Sequence, residues 1–292
     1  MTIDLEHGAA IARELGLDEH DLKLVSVRGG DIAEAFILEG SDYWVFLKSL
    51  PLGKAGILSA EADGLNAIAE TRTVRVPRFI RRGIQDDVAW LALEYLDLDH
   101  RGPSADRVLG RRLAELHRHS ADTFGWRRNN YIGWTPQRNP LIENWSEFFL
   151  THRLGFQFDR LTQAHPDESW ADLKLAIFQA WHERHGQHQP PPALVHGDLW
   201  NGNAAAIGRD QPVVYDPAVH YADRETDLAM TWLFGGFSES FYQAYEEVWP
   251  LPDGHEERRL FYKLYHLLNH ANLFGGDYLR AAGKMCYRIL AD

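Results

Sequence analysis

Three polar side chains could do chemistry together. Asp198 and Asn203 fall in the stretch Leu194-Val-His-Gly-Asp-Leu-Trp-Asn-Gly-Asn203, and Asp216 ends the nearby run Val213-Val-Tyr-Asp-Pro217. The pattern reads as a short apolar strand, a polar loop, and a second apolar strand that delivers an acid. Asn203 follows Asp198 by five residues, and Asp216 follows Asn203 by thirteen. A carboxylate, an amide and a second carboxylate at these offsets suit phosphoryl transfer from a magnesium-bound nucleotide. Asp198 would orient the attacking hydroxyl and accept its proton. Asn203 and Asp216 would hold Mg²⁺, a hard cation that takes one or two protein oxygens besides phosphate and water.

Such chemistry needs a cation on the phosphates, and the upstream sequence offers one. Lys48 ends the apolar run Tyr43-Trp-Val-Phe-Leu-Lys48. Residues 55–71 have helical periodicity, and Glu61 lies on the same stripe as Leu58, Leu65 and Ile68. A carboxylate on an apolar stripe is costly without a partner, so Glu61 is expected to pair with Lys48. Gly29 and Gly30 join two strand-like runs and could cover phosphates with backbone N–H groups. Val88–Leu96 is a further apolar run, after which Asp97, Asp99, Gly102 and Pro103 break the pattern. Glu94, Tyr95 and Leu96 are the expected adenine contact, made through main chain. The reading is an α+β chain in two lobes. Residues 1–96 would form a small antiparallel sheet with a helix, and residues 97–292 a larger, mainly helical lobe.

In the second half, residues 123–139 are dense in aromatic, amide and glycine residues. Helices are expected at 144–164 and 168–185. His182, His185 and His188 are one residue out of a zinc-binding spacing and read as a solvated helix end. Trp200, Tyr221 and Trp232 could stack on a substrate, and Asp223 and Arg224 could contact it. Asp227, on the side of Leu228 and Thr231, reads as buried and bonded back to the Asp198 loop. Tyr265, His266, Asn269 and His270 share a helical repeat and read as a packed polar face.

With 292 residues and 45% hydrophobic composition, the chain can bury a substantial core. A formal net charge of −12 argues against nucleic acid or an anionic membrane as partner. The single Cys286 admits no internal disulfide framework and fits a reducing compartment. No membrane-length apolar run or signal peptide is visible, so a cytoplasmic location is expected.

The chain resembles the fructosamine kinase (ketosamine-3-kinase) family, within the protein-kinase-like fold shared with aminoglycoside phosphotransferases and choline kinases. The residues that carry the resemblance include Gly29-Gly-Asp-Ile, Leu93-Glu-Tyr-Leu, Phe124-Gly-Trp and Asn130-Tyr-Ile-Gly. Farther on are His196-Gly-Asp-Leu-Trp, Asp216-Pro-Ala-Val, Asp223-Arg-Glu and Leu264-Tyr-His-Leu-Leu-Asn-His. Trp200, with Asp216-Pro-Ala and Asp223-Arg-Glu, points beyond the broad small-molecule kinase group. The resemblance implies ATP- and Mg²⁺-dependent phosphorylation of the 3-hydroxyl of a small or protein-bound ketosamine: a ribulosamine, erythrulosamine or fructosamine. The product releases its amine, which serves protein deglycation. Carried over by position, Asp198 is the base, Asn203 and Asp216 bind metal, and Lys48 and Glu61 form the ion pair. Two other readings use the same residues: a kinase of another small alcohol, and a nucleotide-binding pseudokinase.

Overall fold

The computed structural model describes residues 3–27, 32–166 and 169–291. Helix α1 (Leu5–Leu15) precedes β1 (Lys23–Val27), β2 (Glu34–Glu39) and β3 (Trp44–Pro51). Helix α2 (Ala55–Thr71), β4 (Phe79–Gln85) and β5 (Val88–Glu94) follow. The five strands form one antiparallel sheet in the order β1-β2-β3-β5-β4. Alternation along each strand sorts its side chains between two faces. Phe36, Leu38, Val45, Leu47, Trp90 and Ala92 pack with Ile11 and Ala12 of α1. Ala89, Leu91 and Leu93 point the other way, into a cluster with Leu58, Leu65 and Ile68 of α2. Lys48 follows Leu47 on β3 and therefore faces α2.

Helix α3 (Pro103–His117) opens the remainder of the chain. The aromatic, amide-rich stretch beyond it contains a small hairpin, β6 (Asn130–Ile132) with β7 (Thr135–Gln137). The hairpin is pinned by buried amides: Asn130 Nδ2 donates to Val219 O at 2.7 Å and Gln137 Nε2 to Ala218 O at 3.1 Å. The expected helix over 144–164 is α4 (Trp145–Phe149), a π-turn at Leu150–Gly155, and α5 (Phe156–Ala164). Helix α6 (Trp170–His185) leads to β8 (Ala193–Val195), then the hairpin β9 (Ala204–Ile207) and β10 (Gln211–Val214), then β11 (His220–Ala222). Helices α7 (Glu225–Phe234), α8 (Glu239–Val248), α9 (His255–Phe274) and α10 (Gly276–Ala291) complete the chain.

The hydrophobic cluster under the sheet continues through Leu109 and Leu113 of α3 to Val214, Leu228 and Phe241. The sheet and the helical part thus share a core. A close contact aids this joint: a Cβ on Gly64 of α2 would stand 2.9 Å from Pro217 Cγ. Glycine lets α2 lie directly against the chain that follows Asp216. A second attachment comes from Arg128, which reaches Ser59 O at 2.7 Å and Asp63 at 2.6 Å, both on α2.

Candidate active site

Lys48 and Glu61 meet as their sequence pattern requires. Lys48 Nζ lies 2.8 Å from Glu61 Oε1 and also bonds Asp216 Oδ1. Burial alone would lower the lysine pKa, but the charges of Asp216 and Glu61 reverse that and raise it. Lys48 therefore stays charged. Burial raises the Glu61 carboxyl above the usual carboxylate range, against the pull of Lys48.

The loop from β8 to β9 holds Asp198 in place from below. Asp227, at the start of α7, accepts from His196 N at 2.7 Å and Gly197 N at 2.8 Å. Its Oδ2 also meets His117 Nε2 at 3.1 Å. This is the buried, structural role read for Asp227. Gly197 has φ of +84°, and a Cβ there would stand 2.2 Å from Ala218 O. The turn that presents Asp198 is therefore open to glycine and closed to larger residues. Asn203 Nδ2 donates to Asp198 O at 2.9 Å and to Asp198 Oδ2 at 3.2 Å. Burial, then the charge of Asp216, pushes the Asp198 carboxyl up to about 7, while the bond from Asn203 opposes the shift. Asp216 has φ of +58°, an uncommon conformation for a non-glycine residue. Backbone strain at such positions is characteristic of functional sites.

These groups share one cavity of about 690 Å³. Lys48, Glu61, Asp198, Asn203 and Asp216 line it together. One ammonium against three carboxylates leaves two negative charges when all are ionised. That balance fits a divalent cation. The donor set fits it as well: Asn203 Nδ2 is engaged by Asp198, which leaves Oδ1 as the metal-facing acceptor, and the Asp216 side chain is 42% exposed. Phe46, Leu93, Glu94, Tyr95 and Leu96 border the cavity on the sheet side, where an apolar slot suits a planar base. The Glu94 carboxylate itself turns away, to Arg75 at 2.6 Å and the Arg78 amide at 3.0 Å. Gly29 and Gly30 lie outside the described residues.

Of the side chains expected to meet substrate, Trp200 lines the cavity, edge-on to Phe234 with ring centroids 6.3 Å apart. Four others are corrected. Asp223 is buried and bonds His188 at 2.7 Å and Tyr262 at 2.6 Å. Arg224 is buried against Trp249 and donates to the Trp249 and Pro250 carbonyls at 2.9 and 2.6 Å. Tyr221 leans on Trp126, ring centroids 5.5 Å apart, and Trp232 stacks on Tyr242 at 4.7 Å. None of the four lines the cavity; each is spent on packing or internal bonds.

The sequence reading also passed over residues that matter here. Arg101 bonds Asp106 at 2.8 Å, Ala204 O at 2.7 Å and Asn201 Oδ1 at 3.0 Å, bracing the loop that carries Asn203. His117 joins Tyr245 to Asp227 and had no assigned role. Asn269 was read as packing, yet it lines the cavity. A lone arginine between a proline and two acids gives no sequence signal of its partners a hundred residues away.

The fold is protein-kinase-like, and the protein is a phosphotransferase acting on a hydroxyl group. The sequence profile of the family described as "Fructosamine kinase" matches residues 7–292. The chain belongs to the fructosamine kinase family. It is 42% identical over 271 residues to a Synechocystis protein named probable ketoamine kinase, covering 90% of each chain. It is 38% identical over 271 residues to the chloroplastic protein-ribulosamine 3-kinase of Arabidopsis thaliana, covering 89% of this chain and 80% of that one. Among solved structures, a candidate fructosamine-3-kinase from Haemophilus somnus superposes with a TM-score of 0.87 at 28% identity, over 97% of this chain and 96% of that one. No helix among the described residues is long and apolar enough to cross a membrane.

Proposed function

We propose that the protein transfers the γ-phosphate of ATP to the 3-hydroxyl of a ketosamine, with a ribulosamine as the first substrate to test. The observation that carries this reading is the convergence of Lys48, Glu61, Asp198, Asn203 and Asp216 on one cavity. The name of the Arabidopsis relative supports the acceptor class. Residues 1–96 act as the nucleotide lobe and 97–292 as the catalytic lobe. Glu94 to Leu96 receive the adenine, and Gly29 and Gly30 approach the phosphates. Glu61 holds Lys48 toward those phosphates. Asn203 and Asp216 hold Mg²⁺, which offsets negative charge on the phosphoryl oxygens when bound. Asp198 orients the sugar hydroxyl and takes its proton; a carboxyl near 7 is matched to that task at neutral pH. Trp200 supplies an apolar face for the sugar or its amine. Phosphorylation at O3 makes the product labile to loss of its amine, which is deglycation chemistry.

The test is turnover of ribuloselysine and fructoselysine with MgATP, the position of the phosphate being read by ³¹P NMR. The expected result is a 3-phosphate with wild type and a loss of at least about 100-fold in kcat for Asp198→Asn. Activity of that variant within tenfold of wild type would remove Asp198 from the base role. Turnover of an aminoglycoside or choline with no ketosamine consumed would overturn the substrate class.

A further inference from the structure

We infer that the arginine-lined recess at the base of the β6–β7 hairpin docks an acidic segment of the protein that carries the ketosamine. The inference rests on the ketosamine reading above and adds a second contact, outside the catalytic cavity, for a macromolecular substrate.

The recess lies where the two ends of the hairpin meet. Trp126, Arg127 and Arg128 line it ahead of β6, Arg138 and Leu141 after β7, and His152 from the π-turn. The chain as a whole has a formal net charge of −12, yet here the charge is positive. Among the described residues, Asp63 is the one carboxylate paired with these arginines, 2.6 Å from Arg128 and 3.5 Å from Arg127. Arg138 pairs with no carboxylate among the described residues and lies over the Phe156 ring, 5.5 Å from its centroid. A second observation points the same way from below. Arg153 is 2% exposed and also pairs with no carboxylate among the described residues. Its guanidinium reaches Arg138 O at 2.7 Å, His152 O at 3.1 Å and Asn139 Oδ1 at 2.6 Å, all on residues that line the recess. Its Nε meets no acceptor. Burial lowers the Arg153 pKa only to about 10, so the group stays charged at neutral pH. A buried charge without a counter-ion is costly. His152 registers the excess: burial first, then the charges of Arg153 and Arg138, lower its pKa, and Glu147 opposes them. An anion seated in the recess would offset the whole group. A carboxylate matches a guanidinium in geometry as well as in charge. The exposed Leu141 and half-buried Trp126 beside them offer apolar contact to a peptide.

The hairpin sets the distance to the chemistry. Its outer part, Tyr131 to Gly133, lines the catalytic cavity, whereas Asn129 and Arg138 at its base line the recess. Strand β6 is three residues long, so the two sites lie about 10 Å apart along it. An extended peptide covers that span in about three residues. A glycated lysine in the cavity and an acidic residue of the same segment can then be held together. The probes are synthetic peptides that carry one ribulosyl-lysine and a pair of glutamates, moved from two to six residues away on either side. Control peptides carry glutamine instead. At low ionic strength the best glutamate peptide is expected to exceed its glutamine control at least about tenfold in kcat/KM, through KM, and added salt should erode that ratio. The double variant Arg127→Gln/Arg138→Gln should bring the ratio to within about twofold of one, with kcat/KM for free ribuloselysine within about twofold of wild type. A wild type that turns over ribuloselysine but prefers glutamate at no spacing, or a preference that the double variant keeps, overturns the inference alone. A wild type that phosphorylates neither ribuloselysine nor any peptide overturns the functional reading, and the inference with it.

Discussion

Asp198, the proposed base, links that role to stability in a way that can be measured without any substrate. Its carboxyl lies near 7 in the folded protein against an ordinary value of 3.8, because burial and the charge of Asp216 disfavour the ionised form. The sign follows from linkage: a carboxyl raised on folding favours the folded state at low pH, and that contribution is lost as pH rises through the folded value. At pH 8 wild type must carry an anion its surroundings resist. The shift spans about three pH units, worth about 4 kcal/mol at 1.36 kcal/mol per unit. The carboxyl opens onto a wet cavity, which reduces this to about 2 kcal/mol. Asp198→Asn keeps an oxygen for Asn203 and removes the charge. The expected outcome is a variant that is inactive yet more stable than wild type at pH 8, by about 2 kcal/mol or about 4 °C in Tm. Its advantage should shrink steadily between pH 7 and pH 5, as the wild-type carboxyl takes up its proton. The assay is thermal unfolding by circular dichroism across that range, without nucleotide or divalent metal. An advantage that is absent at pH 8, or constant from pH 5 to pH 8, would refute the account of Asp198.

Three further substitutions probe the frame around it. Lys48→Met leaves Glu61 and Asp216 facing each other without the ammonium that joins them, and it removes the proposed phosphate contact. We expect kcat/KM for ATP to fall by about 100-fold or more in steady-state assays, with Glu61→Gln falling less because Asp216 still holds the lysine. Asp227→Asn replaces one of two oxygens that accept from His196 N and Gly197 N with a donor facing a donor. Leaving a buried donor unmet costs about 1–3 kcal/mol, so urea unfolding should show a loss of that order, together with reduced kcat from a loosened Asp198 turn.

The parts of the site that were legible in sequence were those set by local periodicity and spacing. Glu61 betrayed its partner because a carboxylate on an apolar helical stripe must be paired, and Lys48 stood at the end of the adjoining strand. Asp198, Asn203 and Asp216 were readable because a strand, a loop and a hairpin fix their separation along the chain. Asp223 and Arg224 were assigned to substrate because charge near a helix start suggests an accessible group. Their actual partners, Tyr262 of α9 for the one and the Trp249 and Pro250 carbonyls just past α8 for the other, come from segments farther along the chain. Tyr221 and Trp232 show the same limit for aromatics: the residue type suggested a ligand, and tertiary packing supplied Trp126 and Tyr242 instead. The interruption at Leu150–Gly155 was also illegible, since a π-turn adds one residue to a helix without changing its composition.

The attachment of α2 bears on how the site fills. Gly64 rests against Pro217, one residue beyond Asp216, and Arg128 fastens the same helix at Ser59 and Asp63. Glu61 and Asp216 are therefore tied through neighbouring contacts, and Lys48 is already bonded to both without a nucleotide. In the proposed function, loading the cavity would be an exchange of partners: a phosphate would take the place of Asp216 on the ammonium and free that carboxylate to hold a metal. On that reading, arming the site would be a swap of charges over a few ångströms around an ammonium already in place.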